Sequence, residues 1–168
     1  MLSQTPQWVA VYTNPRAEKK VYSRLVDQGF EVFLPLVKER RKWSDRYKIV
    51  EIPLFSSYVF AKICRTDVAP LRETLGVSFL VSFLGVVETI PEQQIDAVRR
   101  LVNANQRLYV EQMQRMRKGA HVRIIEGAFA GMEGELISDN KNGNFAVKIH
   151  ALQLSLVTHI DRLMLQIE

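Results

Sequence analysis

The sequence is poor in the residues that build metal centres, disulfide frameworks and membrane spans. Its 168 residues include one cysteine, Cys64. A single thiol excludes an internal disulfide framework and a cysteine-based zinc site. The three histidines, His121, His150 and His159, are not at metal-ligand spacing. An uncharged run such as Gly76–Val87 extends 12 residues, and no run reaches the roughly 18 that a membrane span needs. No charged segment followed by an apolar stretch opens the chain, so no secretory signal is expected. There is no G-x-x-x-x-G-K-[ST] phosphate loop, and no sequence context marks a serine nucleophile. The expectation is a non-enzymatic chain without cofactor or metal, soluble in a reducing cytoplasm.

What is present is an ordinary globular composition with a basic bias. Hydrophobic residues make up 47% and charged residues 24%, with a formal net charge of +5. Such a charge permits an anionic partner without requiring one. Residues 1–105 hold 15 Lys and Arg against 11 Asp and Glu, whereas residues 106–168 hold 8 against 7. The excess therefore lies in the first part.

The two parts also differ in texture. In the first, Trp8 to Tyr12 is aromatic and β-branched and suits a strand. Asn14-Pro15 breaks it, and Arg16 to Gln28 reads as a helix stopped by Gly29. Ala17, Val21, Tyr22, Leu25 and Val26 fill one half of that helix, with Arg16, Lys19, Lys20 and Arg24 on the other. Glu31 to Val37 is a second strand. Lys38 to Lys48 carries six basic and two acidic residues, with Ser44-Asp45 as a turn, so it reads as a hairpin with a basic tip. Leu54 to Ile63 and Val77 to Phe83 are further strands, with a short helix over Asp67 to Leu75. Pro91 opens a helix whose Ile95, Val98, Leu101 and Val102 form one apolar stripe.

Residues 106–118 read as a connector with four basic residues and three glutamines, although five apolar residues within it suit continued helix or a docked segment as well. From Gly119 onward, short alternating runs separated by glycine turns and the Asp139–Asn144 turn cluster suggest four or five strands in a small barrel.

The stretch Gly119 to Gly134, with Gly127, Phe129, Gly131 and Gly134 setting its spacing, resembles a KOW motif. Its glycines suit a tight loop needing φ > 0 or close backbone approach, and Phe129 would plug a barrel end. Trp8 to Tyr12, the helix from Arg16, Gly29 to Pro35, the basic hairpin, Pro53 to Phe60, Gly76 to Phe83 and Ile90-Pro91-Glu92 occur in the order of a NusG N-terminal domain. The resemblance to the NusG family runs from about Trp8 to Leu165. It implies an α+β chain: a ribonucleoprotein-like α/β sandwich with an antiparallel sheet over 1–105, a linker over 106–118, and a five-stranded SH3-like β-barrel, the KOW domain, over 119–168.

The resemblance also implies partners. Trp8, Tyr12, Leu54, Phe55 and Tyr58 match the apolar surface with which the family grips the clamp helices of RNA polymerase, and aromatic anchors suit such a pocket. Read without the resemblance, Trp8 and Phe55 are ordinary core aromatics. Arg16, Lys20, Arg40, Arg41, Lys42, Arg46 and Lys48 would face DNA at the transcription bubble, neutralising phosphates, and Trp43 would stack on an exposed base. Read without it, they form a solvated charged loop. The barrel would recruit a further partner, such as a ribosomal protein or Rho. Ser56-Ser57 stands where the general factor has Pro-Gly, and the Ile149-His150-Ala151-Leu152 loop lacks its Phe-Gly-Arg pattern. Both departures point to a specialised antitermination paralogue, like RfaH or the UpxY antiterminators. A monomeric transcription elongation factor is the main expectation, and an RNA-binding, ribosome-associated KOW protein is the alternative.

Overall fold

A computed structural model of the chain describes residues 2–104, 107–112, 119–137 and 142–168. It is a mixed α/β fold with antiparallel sheets and few helices. Its contacts cluster into two units, Met1–Pro91 and Glu92–Glu168. Among the described residues no helix is long and apolar enough to cross a membrane.

In the first unit, β1 (Gln7–Thr13) runs between β5 (Tyr58–Ile63) and β6 (Val77–Leu80). One edge is β2 (Glu31–Phe33), paired with β5, and the other is shared by β6 and β9 (Thr89–Ile90), which pair with successive parts of β1. All these pairings are antiparallel. Alternation along the strands sends Val9, Val11, Val59, Ala61, Ile63 and Leu80 to one face. There they form a core with Val21 and Leu25 of α1 (Glu18–Asp27) and Leu71 of α2 (Val68–Glu73).

The expected strand from Glu31 to Val37 is split. Phe33 ends β2, and a separate strand, β3 (Leu36–Lys42), starts after Pro35 and pairs with β4 (Tyr47–Pro53). Proline supplies no amide donor, which makes residue 35 a natural break in a ladder. A small hairpin of β7 (Ser82–Phe83) and β8 (Val86–Val87) follows β6.

The second unit begins with α3 (Glu92–Asn103), which buries Ile95, Val98 and Leu101 of the expected stripe and leaves its fourth member, Val102, half-buried. A six-stranded sheet follows. Its order is β10 (Leu108–Gln112), β14 (Leu154–Asp161), β13 (Asn142–Ile149), β12 (Glu133–Leu136), β11 (Ala120–Ile124), β15 (Leu165–Ile167). Gly134 is required where β12 meets β13. A Cβ there would lie 2.5 Å from the Ala146 carbonyl oxygen and 2.6 Å from the Phe145 ring.

Two features differ from the sequence expectation. Contacts group α3 with the following residues: Arg100 donates to the carbonyls of Ala128 and Ala130 at 3.0 and 2.9 Å. Residues 108–112, inside the expected connector, form β10 on the edge of β14. Of the expected 106–118 connector, 106 and 113–118 lie outside the described residues, as do 139–141 of the expected turn cluster.

Candidate functional site

The second face of the first unit's sheet is aromatic. Trp8, Ala10 and Tyr12 alternate with the core residues of β1, and Tyr58 and Phe60 do so on β5. The register sets Tyr12 opposite Tyr58 on one side and opposite Phe79 on the other. The three rings meet. Tyr12 and Phe79 stack with centroids 4.7 Å apart and planes 15° apart, and Tyr12 meets Tyr58 edge-on at 5.2 Å. Phe79 is 50% exposed. Burial, with a smaller contribution from the neighbouring Tyr12, raises the Tyr58 phenol pKa above its ordinary value.

The expected docking residues separate into two groups. Tyr12, Leu54 and Tyr58 are half-buried. Trp8 and Phe55 are each only 1% exposed, and Phe55 packs edge-on to Phe60 at 5.7 Å. Phe79 lies outside the expected set. Its run reads from sequence only as an apolar strand, and the pairing register reveals that its ring continues the Tyr12 cluster.

Tyr58 is positioned by the turn before it. Ser57 sits at φ 65°, a left-handed conformation that favours glycine. Its amide donates to Glu18 Oε1 at 2.7 Å, and its carbonyl accepts from the Thr13 amide at 2.8 Å. Glu18 opens α1 and is buried, so the turn is tied to both the helix and β1. Leu54 is held by its amide, which donates to the Pro35 carbonyl at 2.8 Å.

The cationic group is concentrated on the β3–β4 hairpin. The Trp43 amide donates to the Arg46 carbonyl at 2.7 Å, closing the turn. Arg40, Arg41, Lys42, Arg46 and Lys48 are all exposed. Trp43 and Tyr47 are 53% and 58% exposed. The Arg40 guanidinium lies 4.0 Å over the Tyr47 ring, and Lys48 Nζ lies 5.6 Å from that of Trp43. Alternation puts Lys38, Arg40 and Lys42 on one hairpin face, and Glu39 and Arg41 on the other. There Arg41 pairs with Glu39 at 3.3 Å. Lys20 is exposed in the first turn of α1, and Arg16 is exposed just before it at φ 61°, a left-handed backbone that starts the helix at Glu18 rather than at Arg16 as expected. Lys19 from that helix donates to the Glu51 carbonyl of β4 at 2.7 Å, which brings this end of α1 beside the hairpin.

In the second unit, Gly127, Phe129 and Gly131 form the turn between β11 and β12. Both glycines have φ +83°. The Gly131 amide donates to the Ile124 carbonyl at 2.7 Å, and Phe129 is buried. Farther along, Lys148 Nζ bonds Glu135 Oε1 at 2.5 Å across β12 and β13. Burial acts to raise the Glu135 pKa. The Lys148 bond and charge, the Gly119 amide and His121 outweigh it and hold the carboxyl below its ordinary value. Among the described residues no cluster of His, Cys, Asp and Glu could hold a metal ion.

Residues 6–99 match the family described as transcription termination factor nusG. The structure described as "Domain interaction in Thermotoga maritima NusG" is similar in fold, with a TM-score of 0.52 at 18% identity over 96% of each chain. The MjSpt4:Spt5 complex in conformation B gives a TM-score of 0.31 at 17% identity over 95% of each chain, a level that carries no argument. No curated protein matches the sequence.

Proposed function

The chain belongs to the NusG family, and from that premise we propose that it is a transcription elongation and antitermination factor that docks on RNA polymerase through the Tyr12 face of its first unit. The observation carrying this reading is the ring cluster of Tyr12, Tyr58 and Phe79, which leaves half of Phe79 open to solvent. Large, rigid rings bury much area at low entropic cost, which is what an anchor for a helical partner requires. In this reading half-buried Leu54 adds to that surface, whereas Trp8 and Phe55, each 1% exposed, do not reach the partner.

In this reading residues 1–105 are the ribonucleoprotein-like sandwich of the family and residues 119–168 are its KOW barrel, which recruits a further protein. The hairpin leans on DNA at the transcription bubble. Arg40, Arg41, Lys42, Arg46 and Lys48, with Arg16 and Lys20 nearby, neutralise phosphates, and Trp43 stacks on an unpaired base. Holding polymerase and nucleic acid at once raises the number of contacts that must break before the complex pauses or dissociates. Ser56-Ser57 and the Ile149–Leu152 loop support the specialised branch over the general factor.

The test is a pull-down with core RNA polymerase, followed by transcription through a terminator. The parent chain co-purifies with polymerase and increases read-through. Tyr12→Ala and Tyr58→Ala lose both. Undiminished polymerase binding by folded forms of both variants would overturn the reading.

A further inference from the structure

The tip of the β3–β4 hairpin is open on both of its faces. Among the described residues the two strands pair only with each other, and residues 40–49 are all exposed. The base of the hairpin is held. The Leu54 amide donates to the Pro35 carbonyl, and Lys19 of α1 donates to the Glu51 carbonyl. Residues directly opposite in an antiparallel ladder share a face. The register therefore sets Tyr47 with Lys42 on one face and Lys48 with Arg41 on the other. Trp43 follows Lys42 and falls on the second face. The cations agree with this division, since Arg40 lies over Tyr47 and Lys48 lies near Trp43. Each face thus carries one ring, more than half exposed, with a cation against it. The carboxylate of the second face, Glu39, is taken up by Arg41.

A nucleic-acid strand lying on one face would leave the ring of the other unused. We propose that the hairpin is a two-sided blade for a nucleic-acid fork, with Tyr47 stacked on an unpaired base of one arm and Trp43 on an unpaired base of the other. The inference rests on the nucleic-acid part of the reading above, and adds to it a second ring, a second face and a substrate class. Thickness sets the substrate. Bases stacked on opposite faces of a β-ribbon lie about 10 Å apart, the spacing of one packed sheet layer from the next. A base pair needs donor and acceptor about 2.9 Å apart. The arms cannot pair across the blade, so a closed duplex cannot occupy both faces. Every base has a π-face, so stacking on the two rings follows the shape of the opening rather than its sequence. The cations beside each ring hold the phosphates of the arm that lies there.

The test uses the full chain without polymerase and labelled DNAs of matched length. These are a fork with two non-complementary arms, the same duplex with either arm alone, and a closed duplex. Anisotropy should show the fork bound about tenfold or more tightly than the others, the scale of one added stacked base. Tyr47→Ala and Trp43→Ala should each remove most of that advantage. Neither removes a charge, so the salt dependence of closed-duplex binding should stay unchanged. Tyr47→Phe and Trp43→Phe keep a ring and should keep the advantage. A 2-aminopurine base, quenched when stacked, reports each arm separately. Tyr47→Ala should restore its emission in one arm and Trp43→Ala in the other. If circular dichroism finds an alanine variant unfolded, Tyr47→Leu or Trp43→Leu keeps bulk without a π-face, and the same readings apply. A fork bound no better than a one-armed duplex would overturn the proposal. So would release of the same arm by both substitutions, the sign of one strand wrapped around the tip. Binding to none of the DNAs would overturn the nucleic-acid reading along with it, whereas the polymerase pull-down stands or fails separately.

Discussion

Glu18 Oε1 accepts the amide proton of Ser57 at 2.7 Å, joining the first turn of α1 to the turn that presents Tyr58. The bond fixes a serine at φ 65°, where most side chains crowd the backbone. Ser57→Gly is expected to raise stability by about 0.5–1 kcal/mol through relief of that crowding, net of added chain entropy in the unfolded state. Glu18→Ala should cost about 2 kcal/mol, the scale of a hydrogen bond to a charged acceptor. Urea unfolding followed by circular dichroism separates the two signs.

Phe79 should behave as a contact residue. Its ring is half exposed, so Phe79→Ala costs little stability, about 1 kcal/mol or less. Loss of its surface and of its stack on Tyr12 should weaken polymerase binding by roughly tenfold or more, on the scale of an anchor residue. Phe55→Ala, in contrast, should lower the melting temperature, since removing a buried phenylalanine costs about 3–5 kcal/mol.

The two hairpin faces should differ in nucleic-acid binding. Arg40→Ala and Lys42→Ala each remove one cation that faces no acidic partner in the ladder register, Ile49 and Tyr47 being opposite. Each is expected to reduce the slope of log affinity against log salt by about 0.7–0.9. Arg41→Ala, already paired with Glu39, should change the slope less. Anisotropy of a labelled oligonucleotide at several salt concentrations measures all three.

Acid should weaken the second unit through Glu135. Its folded pKa is depressed, so its contribution is present above the ordinary carboxylate value and is lost as pH falls through the folded one. Glu135→Gln is therefore expected to be less stable than the parent at neutral pH, by about 2 kcal/mol, with the gap closing on the acid side. Melting temperatures across that range test the sign.

Gly134→Ala should be among the costly single changes in the second unit. The added methyl would meet a backbone carbonyl oxygen at 2.5 Å, which cannot rotate away as a flexible side chain could. A loss of about 1–3 kcal/mol is the expected scale of overpacking, read by calorimetry.

Much of this organisation is legible in the residues themselves. The alternation in Trp8–Tyr12, the stripe Ile95, Val98 and Leu101, and the Ser44-Asp45 turn each express a local period or a turn preference. The strand at Leu108–Gln112 is not legible in that way. Its residues alternate weakly, and their pairing depends on β14, more than 40 residues later in the chain. Phe79 fails to stand out for the same reason: apolar sequence does not say which face of a sheet remains open. Nor does composition distinguish Trp8 and Phe55, which are enclosed, from Tyr12 and Tyr58, which are only partly so. Ser57 is a different case, because the departure from Pro-Gly is visible in the sequence while the left-handed backbone it must tolerate is visible only in three dimensions.

The two tryptophans occupy opposite environments: Trp8 is enclosed in the first unit, and Trp43 stands on the open tip of the hairpin. One indole is thus a sensor of unfolding and the other a sensor of contact. Iodide should quench the second and spare the first, so a single emission spectrum of the unlabelled protein can follow both events at once.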